Sequence, residues 1–278
     1  MKNGFSAADA VRQRRSVRTY SKKPVPQELR QKLLEYAAGL VSPWGHGISV
    51  RFIEKTPDER GDKLGTYGVI KGAETYLAVV TQRGEHAAEA IGYGFEQLVL
   101  YAQSLGLGTC WLGGTFRRSA FAAQLELKEN EIFPILSPVG YAAEKCGAFE
   151  RAFRASLRAD SRLPWEKIFF KNGFAAPLTE ADAGQFRIPF EMTRLAPSAV
   201  NRQPWRVTAE DGAFHFYKKS FSGAPAGETD MQRIDVGIAL CHFDMAAREL
   251  DLAGKVERLV SGVPAADGLT YIASWVKG

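Results

Sequence analysis

The chain has 278 residues, 45% of them hydrophobic and 24% charged, the balance of a soluble globular protein with room for one large or two modest domains. Its net charge of +5 suits an anionic ligand, but the basic residues are scattered apart from Arg12, Arg14, Arg15 and Arg18. No basic stripe is interleaved with aromatics, so nucleic acid is not an expected partner.

The cysteines (Cys110, Cys146 and Cys241) are odd in number and widely spaced, which argues against a disulfide framework and fits a reducing cytosol. Four histidines show no metal-binding spacing, so no metal is expected. The N-terminus lacks a signal-peptide core and no run of eighteen apolar residues occurs, so no membrane span is expected and the expected compartment is the cytoplasm.

Residues 6–15 read as a short helix with Ser6 as its N-cap. A second helix follows Pro26, with Leu29, Leu33, Leu34 and Ala37 on one face. TYLAVV (75–80) is a β-rich run. IGYGFEQLVLYAQSLGLG (91–108) carries Ile91, Phe95, Leu98, Ala102 and Leu105 at helical spacing and ends in glycine. TCWLGG then turns, and ILSPVGYAA returns as a strand. Residues 151–190 form a connection that includes SRLPWEKIFF and is too apolar for a flexible linker, so it is expected to pack across the body.

The second half repeats this order. At an offset of 145, residues 91–108 match VGIALCHFDMAARELDLA (236–253), pairing Gly92 with Gly237, Ala102 with Ala247, Leu105 with Leu250 and Leu107 with Leu252. Near an offset of 155, residues 36–52 lie against 192–207, and both segments enter a strand at Phe52 and Val207. The reading is an internal duplication. It gives an α+β fold with a central, mostly antiparallel sheet, surrounding helices and two pseudo-symmetric halves. The expected division is a first half over 1–150, a connection over 151–190 and a second half over 191–278.

Three stretches carry chemistry. RRSVRTY (14–20) sets arginine forks and a serine at a helix end, suited to phosphate oxygens, or else to a solvated basic helix terminus. LGTCWLGG (107–114) permits close backbone approach to a planar ligand, with amides able to stabilise negative charge, or else is a plain helix end and strand turn. Cys110 beside Trp111 reads as packing rather than a reactive thiol. APSAVNRQPW (196–205) fixes a loop with two prolines while Ser198, Asn201 and Gln203 offer polar groups, or else simply leads into a strand anchored by Trp205.

Together these stretches resemble the nitroreductase family of FMN enzymes, and the chain looks like the variant in which two half-units are fused. The resemblance is strong over RRSVR (14–18), LGTCWLGG (107–114) and APSAVNRQPW (196–205), and weak elsewhere. The order departs from the family's, because the QPW segment stands behind the central helix, in the second half. The resemblance implies an FMN held between the halves: Arg14, Arg15, Ser16 and Arg18 on phosphate and ribityl chain, and Leu112, Gly113 and Gly114 at the isoalloxazine edge. Pro197, Ser198, Ala199 and Asn201 would close over the ring, with Arg162 of SRLP (161–164) as a further phosphate contact.

The mirror-image site lacks parts from both sides: VSPWGHG (41–47) has neither the Asn nor the Gln, and KVERLVSG follows the second helix in place of TCWLGG. LGTYG (64–68) offers Thr66 and Tyr67 where relatives often carry Asn and a basic residue. One surviving FMN site is therefore implied. The implied reaction is hydride transfer from NAD(P)H to flavin and onward to a small-molecule acceptor such as a nitroaromatic or quinone, with no catalytic side chain. A flavin-binding module without turnover, or a related flavin chemistry such as reductive dehalogenation, is the competing reading. The Gly/Pro-rich stretch 216–232 is the place for a mobile segment. A chain carrying its own partner is expected to be monomeric.

Overall fold

The structure, a computed structural model, describes residues 4–54, 65–145, 147–210, 212–221, 229–264 and 266–278. The chain forms two compact units that interleave in sequence. One comprises residues 13–87 and 97–159, the other 1–12, 88–96 and 160–278. The units change over at 159/160, and two short stretches of the first half, 1–12 and 88–96, count with the second. Packing rather than chain order sets this partition, because helix α3 (Ala87–Ser104) contributes its front to one unit and its rear to the other.

In the unit built on 13–87 and 97–159, α2 (Gln27–Ala38) follows Pro26 and buries Leu33 and Ala37, while Leu34 is exposed and Leu29 half-buried, a narrower face than the spacing predicts. Strands β1 (Ile48–Glu54), β2 (Thr75–Gln82), β3 (Gly108–Thr109) and β4 (Glu131–Gly140) form a sheet in the order β1-β2-β4-β3, all antiparallel. The β-branched run in β2 is buried on both faces, as a central strand requires. Aromatic side chains close the core, with Phe121 edge-on to Tyr76 at 5.4 Å and to Phe116 at 5.8 Å. Two short helices, α4 (Arg118–Ala122) and α5 (Ala148–Ser156), complete the unit.

In the other unit, α1 (Ala7–Gln13) is capped by Ser6, whose hydroxyl accepts from the Asp9 amide. It stops two residues before the predicted end, where the chain turns into an extended bridge from Ser16 to Thr109. The connecting segment is structural. Ile168 and Phe169 are fully buried, and β5 (Phe169–Lys171) and β6 (Ala176–Pro177) extend the sheet edge. Beyond α6 (Arg187–Leu195) come β7 (Trp205–Glu210), β8 (Ala213–Lys219), α7 (Met231–Glu249), β9 (Gly254–Glu257) and β10 (Leu269–Lys277). The sheet runs β6-β5-β7-β8-β10-β9, and its one parallel pairing is β5 with β7.

The predicted repeat is visible in this topology. Both halves read helix, strand, strand, helix, strand, strand, from α2 to β4 and from α6 to β10, with α4 inserted in the first. Both sheets order these strands first, second, fourth, third. The strands thus divide between two sheets, one per unit, rather than sharing one.

The paired glycines explain why both helices need them. A Cβ on Gly92 would collide with the Ile234 carbonyl, and one on Gly237 with the Glu89 carbonyl. These contacts are reciprocal at the same offset of 145, as a local twofold between the front of α3 and α7 demands. Around the crossing the buried polar groups are partnered. Glu89 pairs with Arg233, Glu96 with His242 at 2.9 Å, and Asp244 with Tyr93, Arg248 and Trp275.

Candidate functional site

The RRSVR segment lies beside β3, the strand that leads into the CWLGG segment, within one unit. The Val17 amide donates to the Thr109 carbonyl at 2.9 Å, and a side chain on Gly108 would strike Val17, so glycine there lets the two backbones meet. Arg15 is exposed, Arg14 and Ser16 are half-buried, and Arg18 is buried. The Glu150 carboxylate accepts from the Arg18 amide at 3.3 Å and the Thr19 hydroxyl at 2.6 Å, fixing this backbone from α5. The Arg18 guanidinium lies 4.9 Å from the Phe153 ring centroid, and its buried Nε has no hydrogen-bond partner among the described residues.

Further along, Leu112 is buried and bridges to Leu136, after which Gly113 and Gly114 come to the surface. Arg118 donates to the carbonyls of Gly113 at 3.3 Å and Pro134 at 3.1 Å, bracing the turn, and the space beside Gly114 is open. Burial pushes the Cys110 thiol up, partly offset by Arg18 and Arg14, so this is a packed cysteine. Thr66 is buried and Tyr67 exposed; Leu64 of the same stretch lies outside the described residues.

The APSAVNRQPW loop is in the other unit, together with Arg162. Ser198 Oγ accepts from the Gln203 amide at 2.8 Å, and the Ala199 amide donates to the Asp235 carboxylate at 3.1 and 3.2 Å. Val200, Asn201 and Gln203 have φ of 46°, 56° and 50°, three non-glycine residues in the left-handed region within four positions. Val200 is exposed, and Pro197 and Asn201 are half-buried.

Gln203 and Arg162 are both engaged within the protein. Gln203 is buried and braces the loop, accepting from the Leu163 amide at 2.8 Å and donating to Asn201. Arg162 clamps carbonyls, reaching Leu195 at 3.1 and 3.3 Å and Ser161 at 2.8 Å, with Asn201 Oδ1 at 3.5 Å. Its fork is therefore largely committed to the protein, because a guanidinium has five N–H donors.

The net positive charge is unevenly placed. Residues 13–87 and 97–159 carry 20 Lys and Arg against 13 Asp and Glu, whereas the remainder carries 16 against 18. The arginine-bearing unit thus has the stronger field for an anion. Among the described residues no group of three or more His, Cys, Asp or Glu is placed to hold a metal, and no helix is long and apolar enough to cross a membrane. Cys146 and residues 222–228 of the Gly/Pro-rich stretch lie outside the described residues.

Three residues escape a reading of the sequence. Glu150 and Arg118 hold their partners across the fold and leave no local signal. Asp235 does leave one, a lone acid in the apolar run that opens α7.

Known proteins resemble this chain in sequence and in fold. The family model described as "Putative TM nitroreductase" matches residues 7–247. A "Putative NADH dehydrogenase/NAD(P)H nitroreductase" of Methanothermobacter thermautotrophicus is 30% identical over 156 residues, covering 50% of this chain and 78% of that protein. The crystal structure of a "putative nitroreductase" from Thermotoga maritima MSB8 superposes with a TM-score of 0.58 at 18% identity, covering 98% of this chain and 94% of its own. A nitroreductase with bound FMN from Bacteroides fragilis, 21% identical, covers 51% of this chain and 91% of its own at a TM-score of 0.42.

Proposed function

The chain belongs to the nitroreductase family, and from that premise we propose that it binds one FMN and passes reducing equivalents from NAD(P)H to a nitroaromatic, quinone or similar small acceptor. The observation that carries this reading is the buried Arg18, with an Nε that lacks a partner among the described residues, on a backbone clamped by Glu150 and joined to Thr109 ahead of the Gly113–Gly114 turn. Such a cation fits a phosphate.

In this reading Arg14, Arg15, Ser16 and Arg18 bind phosphate and ribityl oxygens. Leu112, Gly113 and Gly114 leave room for the ring edge. Pro197, Ser198, Ala199 and Asn201 cover the ring, and Arg162 acts chiefly by holding that loop. When bound, FMN supplies the hydride-accepting and hydride-donating chemistry. The protein's residues position the cofactor and the nicotinamide, and none is assigned a proton transfer. The chain is proposed to act as a monomer in the cytoplasm.

Arg14→Ala and Arg18→Ala are each expected to cost about 1.5–3 kcal/mol of FMN binding, read as flavin lost on dialysis. Full retention of flavin by both variants overturns the phosphate assignment. Anaerobic bleaching of the flavin by NADH or NADPH, with reoxidation by an added quinone, is the expected turnover. Flavin reduced by dithionite and by neither nucleotide would favour a binding module.

A further inference from the structure

We infer that Asp235 is the positioning residue of the proposed flavin-covering loop, pinning residues 196–203 to α7 through the Ala199 amide; this rests on the FMN reading above. Asp235 is buried, and both its carboxylate oxygens lie within hydrogen-bond distance of that amide. The pinned residue directly precedes the left-handed pair Val200 and Asn201, a conformation that persists only where surrounding contacts impose it. The internal repeat supplies an independent indication. At the offset of 145 that pairs Gly92 with Gly237, Asp235 corresponds to Ala90. The half without the APSAVN loop thus has no acid at this position, and the half with the loop has one.

Among the described residues, the charged groups on the elements packed around α7 are engaged with other partners. Lys218 of β8 pairs with Asp230, Arg233 with Glu89 of α3, and Arg194 of α6 with Glu191. Arg206 of β7 donates to the Gln203 and Trp205 carbonyls, and Arg202 lies over the Phe221 ring. Burial, offset in part by the Ala199 amide and reinforced by Asp230, raises the Asp235 carboxyl from its ordinary 3.8 to about 8. The pinned loop therefore holds a proton that a released, hydrated Asp235 would give to water. The hold is strongest below the ordinary carboxyl range, weakens as pH rises toward 8 and levels off above it.

The test compares wild type, Asp235→Asn and Asp235→Ala. Asn keeps an oxygen for the Ala199 amide but cannot ionise. FMN dissociation constants measured from pH 5 to 9 on wild type and Asp235→Asn are taken as a ratio, which cancels titration of the FMN phosphate. Wild-type affinity relative to Asn is expected to fall several-fold between pH 5 and 8 and then stay constant. Asp235→Ala is expected to weaken FMN binding about tenfold, the effect of losing one hydrogen bond and leaving the Ala199 amide without its acceptor. It should also speed deuterium uptake in peptides spanning 196–203 of the flavin-free protein. A ratio that is flat with pH, or unchanged deuterium uptake in Asp235→Ala, overturns the assignment. If wild type takes up no FMN, the flavin reading fails, and deuterium uptake alone decides whether Asp235 pins the loop.

Discussion

Residues 196–203 and residues 41–47 each lead from a helix toward a strand at the same place in the repeat, and they do so under different constraint. The 41–47 loop is relaxed. It uses Gly45 where φ is positive, Ser42 Oγ accepts from the Trp44 amide at 3.2 Å, and Trp44 stacks on His86 at 6.1 Å. The 196–203 loop places Val200, Asn201 and Gln203 in that same region without glycine, and holds them with Ser198, Gln203, Arg162 and Asp235. A duplicated scaffold has kept its frame in both copies and concentrated backbone strain in one. Of the two loops this is the one proposed to touch ligand, and strain of this kind is expected at ligand clamps.

The sharpest test of the shared frame is the pair of glycines. Gly92→Ala and Gly237→Ala each force a Cβ into a facing carbonyl, and each is expected to cost about 2–4 kcal/mol, read as loss of thermal stability. Equal losses support the twofold; a tolerated alanine at either position breaks it. The next effect probes the difference between the loops. Gln203→Ala leaves the Leu163 amide unpaired and is expected to cost about 1–3 kcal/mol, against about 0.5 kcal/mol for His46→Ala in the relaxed loop. Denaturant midpoints for the two variants check the contrast, and similar losses would erase it. The smallest effect has the opposite sign. Val200→Gly removes a β-branched side chain from the left-handed region at an exposed site. It is expected to raise stability by about 0.5–1 kcal/mol while loosening the loop. A destabilised Val200→Gly would mean that the loop is not strained.

Much of this frame is legible in the sequence because it rests on local periodicity. The spacing of Ile91, Phe95, Leu98 and Ala102 marks the central helix, and Gly92 and Gly237 at a common offset mark its twin. Helix ends are less legible. α7 begins at Met231, five residues before the matched segment, because the Asp230 side chain caps it by accepting from the Gln232 and Arg233 amides. The interleaving of the units is hidden, since it depends on contacts between residues distant in sequence.

The stretches expected to bear the site could be picked out from residue types, but the commitments of individual side chains could not. Arg162 and Gln203 look like free ligand contacts in a string of letters, and in the fold each satisfies backbone groups. Glu150 is the converse, an ordinary helical acid whose role appears once Arg18 and Thr19 are brought to it.

The continuity of α3 has a consequence for anyone dissecting the molecule. A gene cut at 159/160 would assign Glu89, Tyr93 and Glu96 to one product while Arg233, Asp244 and His242 went to the other. The downstream fragment would then expose ionisable groups that the intact chain buries in matched pairs. Independent expression of the halves calls for a graft of residues 88–96 rather than a simple truncation.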